Sequence, residues 1–170
     1  MPFLLNGEQI LSPGDLASFR TAVERAGGVR TFLFEQLPRY AHALRAIFAG
    51  SIDVGPASAE VNRRIALMKE VEQWDWAPCA IAFLAEHASE HERARRFFQA
   101  LDRFTFACEL SVVENREREA RYANIIKYVA DDKMLYTGEG NQRAFLLTPS
   151  EQSKFIFTLN RSRKRDPRSL

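Results

Sequence analysis

The sequence is poor in the residues that carry covalent cross-links and metal sites. Its 170 residues include two cysteines and three histidines. Cys79 and Cys108 lie far apart within apolar segments, so they lack the paired spacing of a disulfide framework or a structural zinc site. We expect both thiols to be small hydrophobic residues of the core, and we predict a reducing, cytoplasmic location.

Long apolar runs and phosphate-binding loops are also missing. No stretch approaches the roughly 18 to 20 apolar residues that a membrane-spanning helix needs, and the N-terminus lacks the pattern of a secretory signal. The glycines near residues 7 and 138–140 are too few for a phosphate loop and lack a following Lys-Ser/Thr pair. We therefore predict no membrane partner, no cofactor, no metal and no catalytic residue for this chain.

Charge of one sign is scarce except at the C-terminus. The chain has 24 basic and 22 acidic residues, a net charge of +2, whereas residues 161–170 alone carry +4. This basic tail is either a phosphate-binding segment or a solvated chain terminus. Its basic residues are Arg161, Arg163, Lys164, Arg165 and Arg168.

What the sequence has is apolar residues in helical spacing. Hydrophobic residues make up 46% and aromatics 11% of the chain, enough for a sizeable core. Segments that start near residues 13, 29, 57, 78, 89, 115 and 149 carry the 3.6-residue repeat. They predict an all-α fold, an irregular bundle of six or seven helices in one domain over residues 1–160. Residues 1–12 would be a remnant of a preceding domain, and 161–170 a basic tail.

Several local patterns refine this prediction. Pro38 should break or kink the second helix near Leu37, and Gly27-Gly28 should end the first. Trp74 and Trp76 should fill a joint between helices. The segment 134–147 predicts a β-hairpin or an ordered loop, and Asn6-Gly7 a hairpin turn or a loop.

Two segments fit the capping box that starts a helix, Ser89–Glu92 and Thr148–Glu151. The helix that follows the first box should be the centre of the core, because its large apolar residues step by four, three and four positions. The helix that follows the second box should bury an apolar face. The first stripe comprises Phe97, Leu101, Phe104 and Cys108; the second face comprises Phe155, Ile156 and Leu159.

The segment from His87 to His91 fits the H-x-x-E-H zinc-protease pattern. That chemistry needs both histidines on one continuous helix. Ser89 as an N-cap would place a helix boundary between them. We therefore expect two surface histidines and no zinc site.

The helix that begins at Asn115 is rich in arginine. Tyr122, Ile126 and Val129 should lie on its buried face and three arginines on the opposite face. Alternating glutamates indicate a solvated surface of i,i+4 ion pairs, and contact with nucleic acid or a neighbouring domain is the alternative. The three arginines are Arg116, Arg118 and Arg121.

Three segments together resemble GmrSD-type restriction endonucleases. Residues 3–16 are similar to the F-x-x-L-N…L-S-x-x-D-L passage that closes the family's N-terminal domain. Residues 98–107 and the later Arg121-Tyr122 pair resemble its L-[DE]-R-F-A-Y-A-L segment and arginine-rich helix. Residues 147–160, with Arg163 and 168–170, look like the segment that enters its C-terminal nuclease domain.

The resemblance implies a helical connecting domain of a DNA-defence protein. Family members carry a D-G-Q-Q-R nucleotide-binding motif in a ParB-like N-terminal domain and an H-N-H-type motif near the C-terminus. Neither motif occurs in this sequence, so no catalytic residue transfers, and we expect the chain to be the helical middle of such an enzyme. The alternatives are a free-standing helical adaptor or nucleic-acid-binding protein, and a metal-dependent hydrolase that uses His87 and His91.

Overall fold

The computed structural model describes residues 20–130, except 22 and 112, and residues 145–165; the side chains of 130 and 161–165 are not described. Within these ranges it contains helices and no strand, so the predicted all-α multi-helix fold is confirmed. Both predicted hairpin turns, at 6–7 and over most of 134–147, lie outside the described residues, as does segment 1–12. The helices are α1 (Val29–Thr31), a π-helical turn (Phe32–Gln36), α2 (Leu37–Ala49), a 3-10 turn (Gly55–Ala57), α3 (Ser58–Lys69), α4 (Ala77–His87), α5 (His91–Ser111), α6 (Asn115–Ala130) and α7 (Pro149–Arg165).

The helical residues before α1 end at two glycines, as predicted. Gly27 and Gly28 have φ angles of 86° and 109°, which residues with a Cβ rarely adopt. Their N–H groups donate to the carbonyls of Glu24 and Val23 and so close the last turn.

Pro38 does not interrupt the second helix. The chain stays helical from Val29 to Ala49, and the irregularity is the π-turn just before the proline. There the Leu37 N–H donates to the Phe32 carbonyl, one residue further back than in an α-helix. Pro38 then occupies the first turn of α2, where its missing N–H costs little. The predicted break is therefore a widened turn.

Helices α4 and α5 together form the centre of the core. Phe83 of α4 stacks on Phe97 of α5 with ring centroids 4.1 Å apart. The predicted α5 stripe is buried, because Phe97, Leu101, Phe104 and Cys108 are at most 1% exposed. Helix α4 packs against α2 and α6, and α5 packs against α3 and α7. The short alanine-rich α4 therefore shares the central position that we predicted for α5 alone.

The joint before α4 is filled by tryptophan, as predicted. Trp76 is fully buried, and its ring centroid lies 5.6 Å from that of Trp74. Trp74 stacks in turn on Phe48 at 5.4 Å. Phe48 itself is 56% exposed. The buried indole N–H of Trp76 has no hydrogen-bond acceptor among the described residues.

The predicted capping box at Ser89 is wrong. Helix α5 begins at His91, where the Ala94 N–H donates to the Glu90 carbonyl at 2.8 Å. The Glu92 carboxylate pairs with Arg95 at 2.8 Å instead of reaching back to the chain before the helix. Arg95, three residues further along the helix, thus pairs with Glu92 in place of the backbone N–H that a capping box would require.

Candidate functional site

The three arginines of α6 do not share one exposed face, contrary to the prediction. Arg118 is buried and lies one turn before Tyr122, on the same side as Ile125 and Val129. Ile125 is fully buried, whereas the predicted Ile126 is only partly buried. The buried face of α6 is thus shifted round the helix toward Arg118.

Arg118 is held inside the bundle by an acid from a distant segment. Its Nε donates to Asp75 Oδ2 at 2.6 Å, and Nη2 donates to Asn115 Oδ1 at 3.1 Å. Asp75 lies in the turn that precedes α4, so this pair fastens α6 to that turn. Arg116 is exposed, and within the described chain it alone of the three points to solvent.

Arg121 joins α6 to the start of α7. Its Nη1 lies 2.6 Å from Glu151 Oε1, with the two side chains 13% and 8% exposed. Its Nη2 donates to the Leu146 carbonyl, and the guanidinium lies 4.6 Å from the centroid of the Phe104 ring. A nearly buried cation with three partners is committed to the fold and is not free to meet a phosphate.

The second predicted capping box is confirmed. The Thr148 N–H donates to Glu151 Oε2 at 2.6 Å, and the Glu151 N–H donates to Thr148 Oγ1 at 3.3 Å. Ser111, at the end of α5, donates its hydroxyl to the Glu151 carbonyl at 3.2 Å. We call the set Ser111, Arg121, Thr148 and Glu151 the α7 anchor. It attaches the first turn of α7 to both α5 and α6.

The electrostatics of the anchor favour an ionised Glu151. Burial by itself would raise the pKa of this carboxyl, because it disfavours the charged form. The hydrogen bond from the Thr148 N–H and the Arg121 guanidinium outweigh burial, and the pKa of Glu151 lies below its ordinary value. The carboxylate therefore acts as a fixed negative charge at the N-terminus of α7, where the helix dipole favours it.

Beyond its anchor, α7 leaves apolar side chains in solvent. Ile156, Phe157 and Leu159 are 57%, 66% and 42% exposed, and Phe155 is half-buried. The predicted buried face of this helix is therefore wrong. The helix continues to Arg165, past residue 160, where we predicted that the tail begins. The side chains of Arg161, Arg163, Lys164 and Arg165 and all of Arg168 lie outside the described residues.

A cleft of about 240 Å³ lies beside the anchor, between the ends of α5, α6 and α7. Its charged side chains are three glutamates and one lysine, so its net charge is negative. A phosphate group would be repelled there. The charged residues are Glu114, Glu117, Glu151 and Lys154.

A helix boundary separates the two histidines of the H-x-x-E-H segment, as predicted, since α4 ends at His87 and α5 begins at His91. The prediction that both lie at the surface is wrong for His87, which is buried. His87 Nδ1 lies 2.7 Å from Glu90 Oε1, while its buried Nε2 has no hydrogen-bond partner among the described residues. The His91 ring faces Gly55, where an added Cβ would approach it to 2.6 Å. In the part of the chain that the structure describes, no three metal-ligating side chains come together.

Both cysteines are buried and unpaired, as predicted for core residues. The Cys79 thiol donates to the Tyr122 carbonyl at 3.4 Å. Burial raises the pKa of both thiols, that of Cys108 to about 12. Neither is suited to act as a nucleophile at neutral pH.

One buried ion pair was not predicted from the sequence. Arg64 of α3 lies 2.7 Å from Asp102 of α5 and 2.7 Å from Glu60. The i,i+4 spacing of Glu60 and Arg64 was a local pattern that could be found. Asp102 lies 38 positions away, and no local pattern connects it to Arg64.

Comparisons of the chain with protein-family models, with curated proteins and with solved structures find no match. The resemblance to GmrSD-type enzymes therefore rests on the sequence segments alone. None of the described helices is long and apolar enough to cross a bilayer.

Proposed function

We propose that this chain is a non-catalytic helical connecting domain, and that α7 is the element through which it contacts its neighbour. The observation that carries the proposal is the contrast along α7. Its first turn is fixed by buried polar contacts to two other helices. Its later turns expose large apolar side chains that no described part of the chain covers.

The anchor gives α7 a defined direction. Arg121 and Ser111 hold Glu151 from two different helices, so the first turn of α7 cannot rotate without breaking both contacts. A helix fixed at one end presents the rest of its surface in a constant orientation. This is what a connecting element needs in order to position a second domain.

The exposed apolar surface indicates a protein neighbour. Ile156 and Phe157 are consecutive and more than half exposed, and Leu159 lies one helical turn after Ile156 on the same side of α7. Adjacent apolar side chains of this size are typical of contact surfaces when they cluster. Burying a large side chain at an interface contributes roughly 1.5–3 kcal/mol before entropic costs. The resemblance also points to α7, because residues 147–160 look like the segment that leads into the C-terminal nuclease domain of GmrSD-type enzymes.

The experiment is a binding titration with the two domains that the resemblance implies. Two domains of a GmrSD-type protein are purified separately, the ParB-like domain and the H-N-H-type domain. Each is titrated into this chain, and binding is measured by isothermal titration calorimetry. We expect one of them to bind, with the affinity reduced at least about tenfold by Phe157→Ser. Leu67→Ser is the matched control, since Leu67 is an exposed leucine on α3. Lack of binding to both domains, or equal loss in both variants, contradicts the proposal.

A second test concerns chemistry. Incubation of the purified chain with modified and unmodified DNA and Mg²⁺ should give no cleavage products. Cleavage that survives further purification would overturn the non-catalytic role. Stoichiometric zinc in the purified protein would instead favour the hydrolase alternative.

The alternative function, nucleic-acid binding, is favoured by one observation. Helix α7 continues into the basic residues Arg161 to Arg165. If these contact phosphate, DNA affinity should fall steeply with salt, with a log–log slope of about −0.9 for each phosphate neutralised. Replacing the four basic residues of this stretch by glutamine should then flatten the slope. Salt-insensitive binding to a protein domain favours the connecting role.

A further inference from the structure

A second apolar stripe lies at the start of the continuous helix from Val29 to Ala49 and is independent of α7. Val29, Leu33 and Leu37 follow one another at intervals of four residues and are 62%, 43% and 45% exposed. Phe34, next to the central leucine, is 76% exposed, more than any other large apolar side chain in the described chain. We call these four residues the N-terminal stripe.

The π-turn aligns this stripe. In a regular α-helix, residues four apart drift round the axis, because one turn takes 3.6 residues. The turn over Phe32–Gln36 is widened by its i→i+5 hydrogen bond, so residues four apart lie more nearly in line. Phe32, the residue before Leu33, points away from the stripe and packs inward with Val23 and Ala26. The stripe is therefore a straight outward row on a helix that packs inward through a neighbouring side.

The spacing is self-complementary. When two copies of this helix pack antiparallel about a two-fold axis at Leu33, Val29 of each copy faces Leu37 of the other. The two Leu33 side chains meet at the axis, and the two Phe34 rings meet beside it. A two-fold interface requires this kind of pairing, in which one patch binds its own copy.

The exposed area of the stripe is about half of what each partner buries in a standard interface. With a phenylalanine side chain taken at about 200 Å², the exposed fractions of the four residues correspond to roughly 400 Å². A standard interface buries about 800 Å² on each partner, of which roughly 500 Å² is apolar in homodimers. If it is buried completely, the stripe supplies about four-fifths of that apolar area, as a small dimer that dissociates on dilution requires. Side chains on either side would supply the polar rim.

We propose that the N-terminal stripe is a homodimer interface, in which a second copy of this chain packs antiparallel on Val29, Leu33, Phe34 and Leu37. The partner is the same chain because the pattern on this helix matches itself. This surface is separate from α7, so a dimer leaves the apolar part of α7 open for another domain.

Sedimentation velocity of the full chain over about 1 to 100 µM tests the proposal. We expect a dimer that dissociates on dilution and a monomer at all concentrations for Leu33→Glu. Leu67→Glu, at a leucine 49% exposed on α3, should remain dimeric. A wild-type monomer at the highest concentration overturns the proposal. So does a dimer that survives Leu33→Glu, or one that is lost only in Phe157→Glu.

A cysteine cross-link tests the geometry even if Leu33→Glu fails to fold. Leu33→Cys places a thiol on the proposed axis, next to its own copy. Cys79 and Cys108 are at most 1% exposed and should not react. Under mild oxidation, we expect Leu33→Cys to form a disulfide-linked dimer at least about tenfold faster than Leu67→Cys. Equal rates overturn the antiparallel arrangement.

Discussion

Arg116, Arg118 and Arg121 lie within two turns of α6, yet their surroundings differ completely. Arg116 is exposed. Arg118 meets Asp75, and Arg121 meets Glu151, in contacts of 2.6 Å each. Both acids come from segments that are distant along the chain, so the charge spacing within α6 gives no information about them. The sequence therefore showed that α6 is rich in arginine, but not which arginines are buried in ion pairs and which are exposed.

Arg121→Ala should destabilise the fold by about 3 kcal/mol, because it leaves a nearly buried carboxylate without its cation. Urea unfolding followed by circular dichroism measures the free energy of unfolding. Arg116→Ala is the control on the same helix and should change that free energy by less than about 0.5 kcal/mol. Similar effects of the two substitutions would show that Arg121 is not structural.

The anchor also predicts a pH dependence. The pKa of Glu151 is lower in the fold than its ordinary value of 4.5, so the ionised form stabilises the native state above that pH. This contribution is lost as pH falls below 4.5 toward the native pKa. Wild type should therefore exceed Glu151→Gln in unfolding free energy at pH 7, and the gap should narrow below pH 4.5. A gap that is constant from pH 7 to pH 3 would contradict this prediction.

For the helices, the periodicity of apolar residues and the residues that cap helix ends were the most informative features of the sequence. The Phe97 to Cys108 stripe and the Thr148 box were confirmed, because burial of one face and capping are local properties of the sequence. The Ser89 box failed because Glu92 pairs with Arg95. The apolar residues of α7 misled the prediction for another reason. Apolar spacing shows that one face of a helix is suited to burial, but it does not show whether the same chain or another protein buries that face.

Phe97→Ala should reduce the free energy of unfolding by about 3–5 kcal/mol, since it opens a cavity beside Phe83 in the centre of the core. Phe157→Ala removes the same group from a side chain that is 66% exposed. This control substitution should lower the free energy of unfolding by less than about 1 kcal/mol. Both values follow from urea titrations at one protein concentration. Equal losses would contradict the assignment of α5 as interior.

For the molecule as far as it is described, the buried residues form two separate clusters. The large cluster joins α2 to α6, whereas Val23, Ala26 and Phe32 form a small one of their own. This grouping could not be predicted from the sequence, because hydrophobic spacing within segments does not show which segments meet. The function class was likewise not readable from local patterns. The surfaces that suggest it, on α7 and on the helix from Val29 to Ala49, depend on which faces the core leaves uncovered.

Two clusters of unequal size predict two levels of protection in hydrogen exchange. At low protein concentration, amides of α4 and α5 should exchange slowest, near the global unfolding limit. Amides of residues 29–37 should exchange faster, because the cluster that holds that region has three buried members among the described residues, far fewer than the large cluster. Mass spectrometry of peptic fragments gives both rates. Equal protection of the two regions would show that they unfold as one unit.

The buried indole of Trp76 has a practical consequence. Its ring is fully enclosed and its N–H meets no acceptor among the described residues, so its emission should lie at short wavelength in the native protein. Opening of the core would admit water and shift that emission to the red. Trp74 is already part-exposed and would change less. The protein thus carries an intrinsic fluorescent reporter of its own interior, and unfolding can be followed without any added dye.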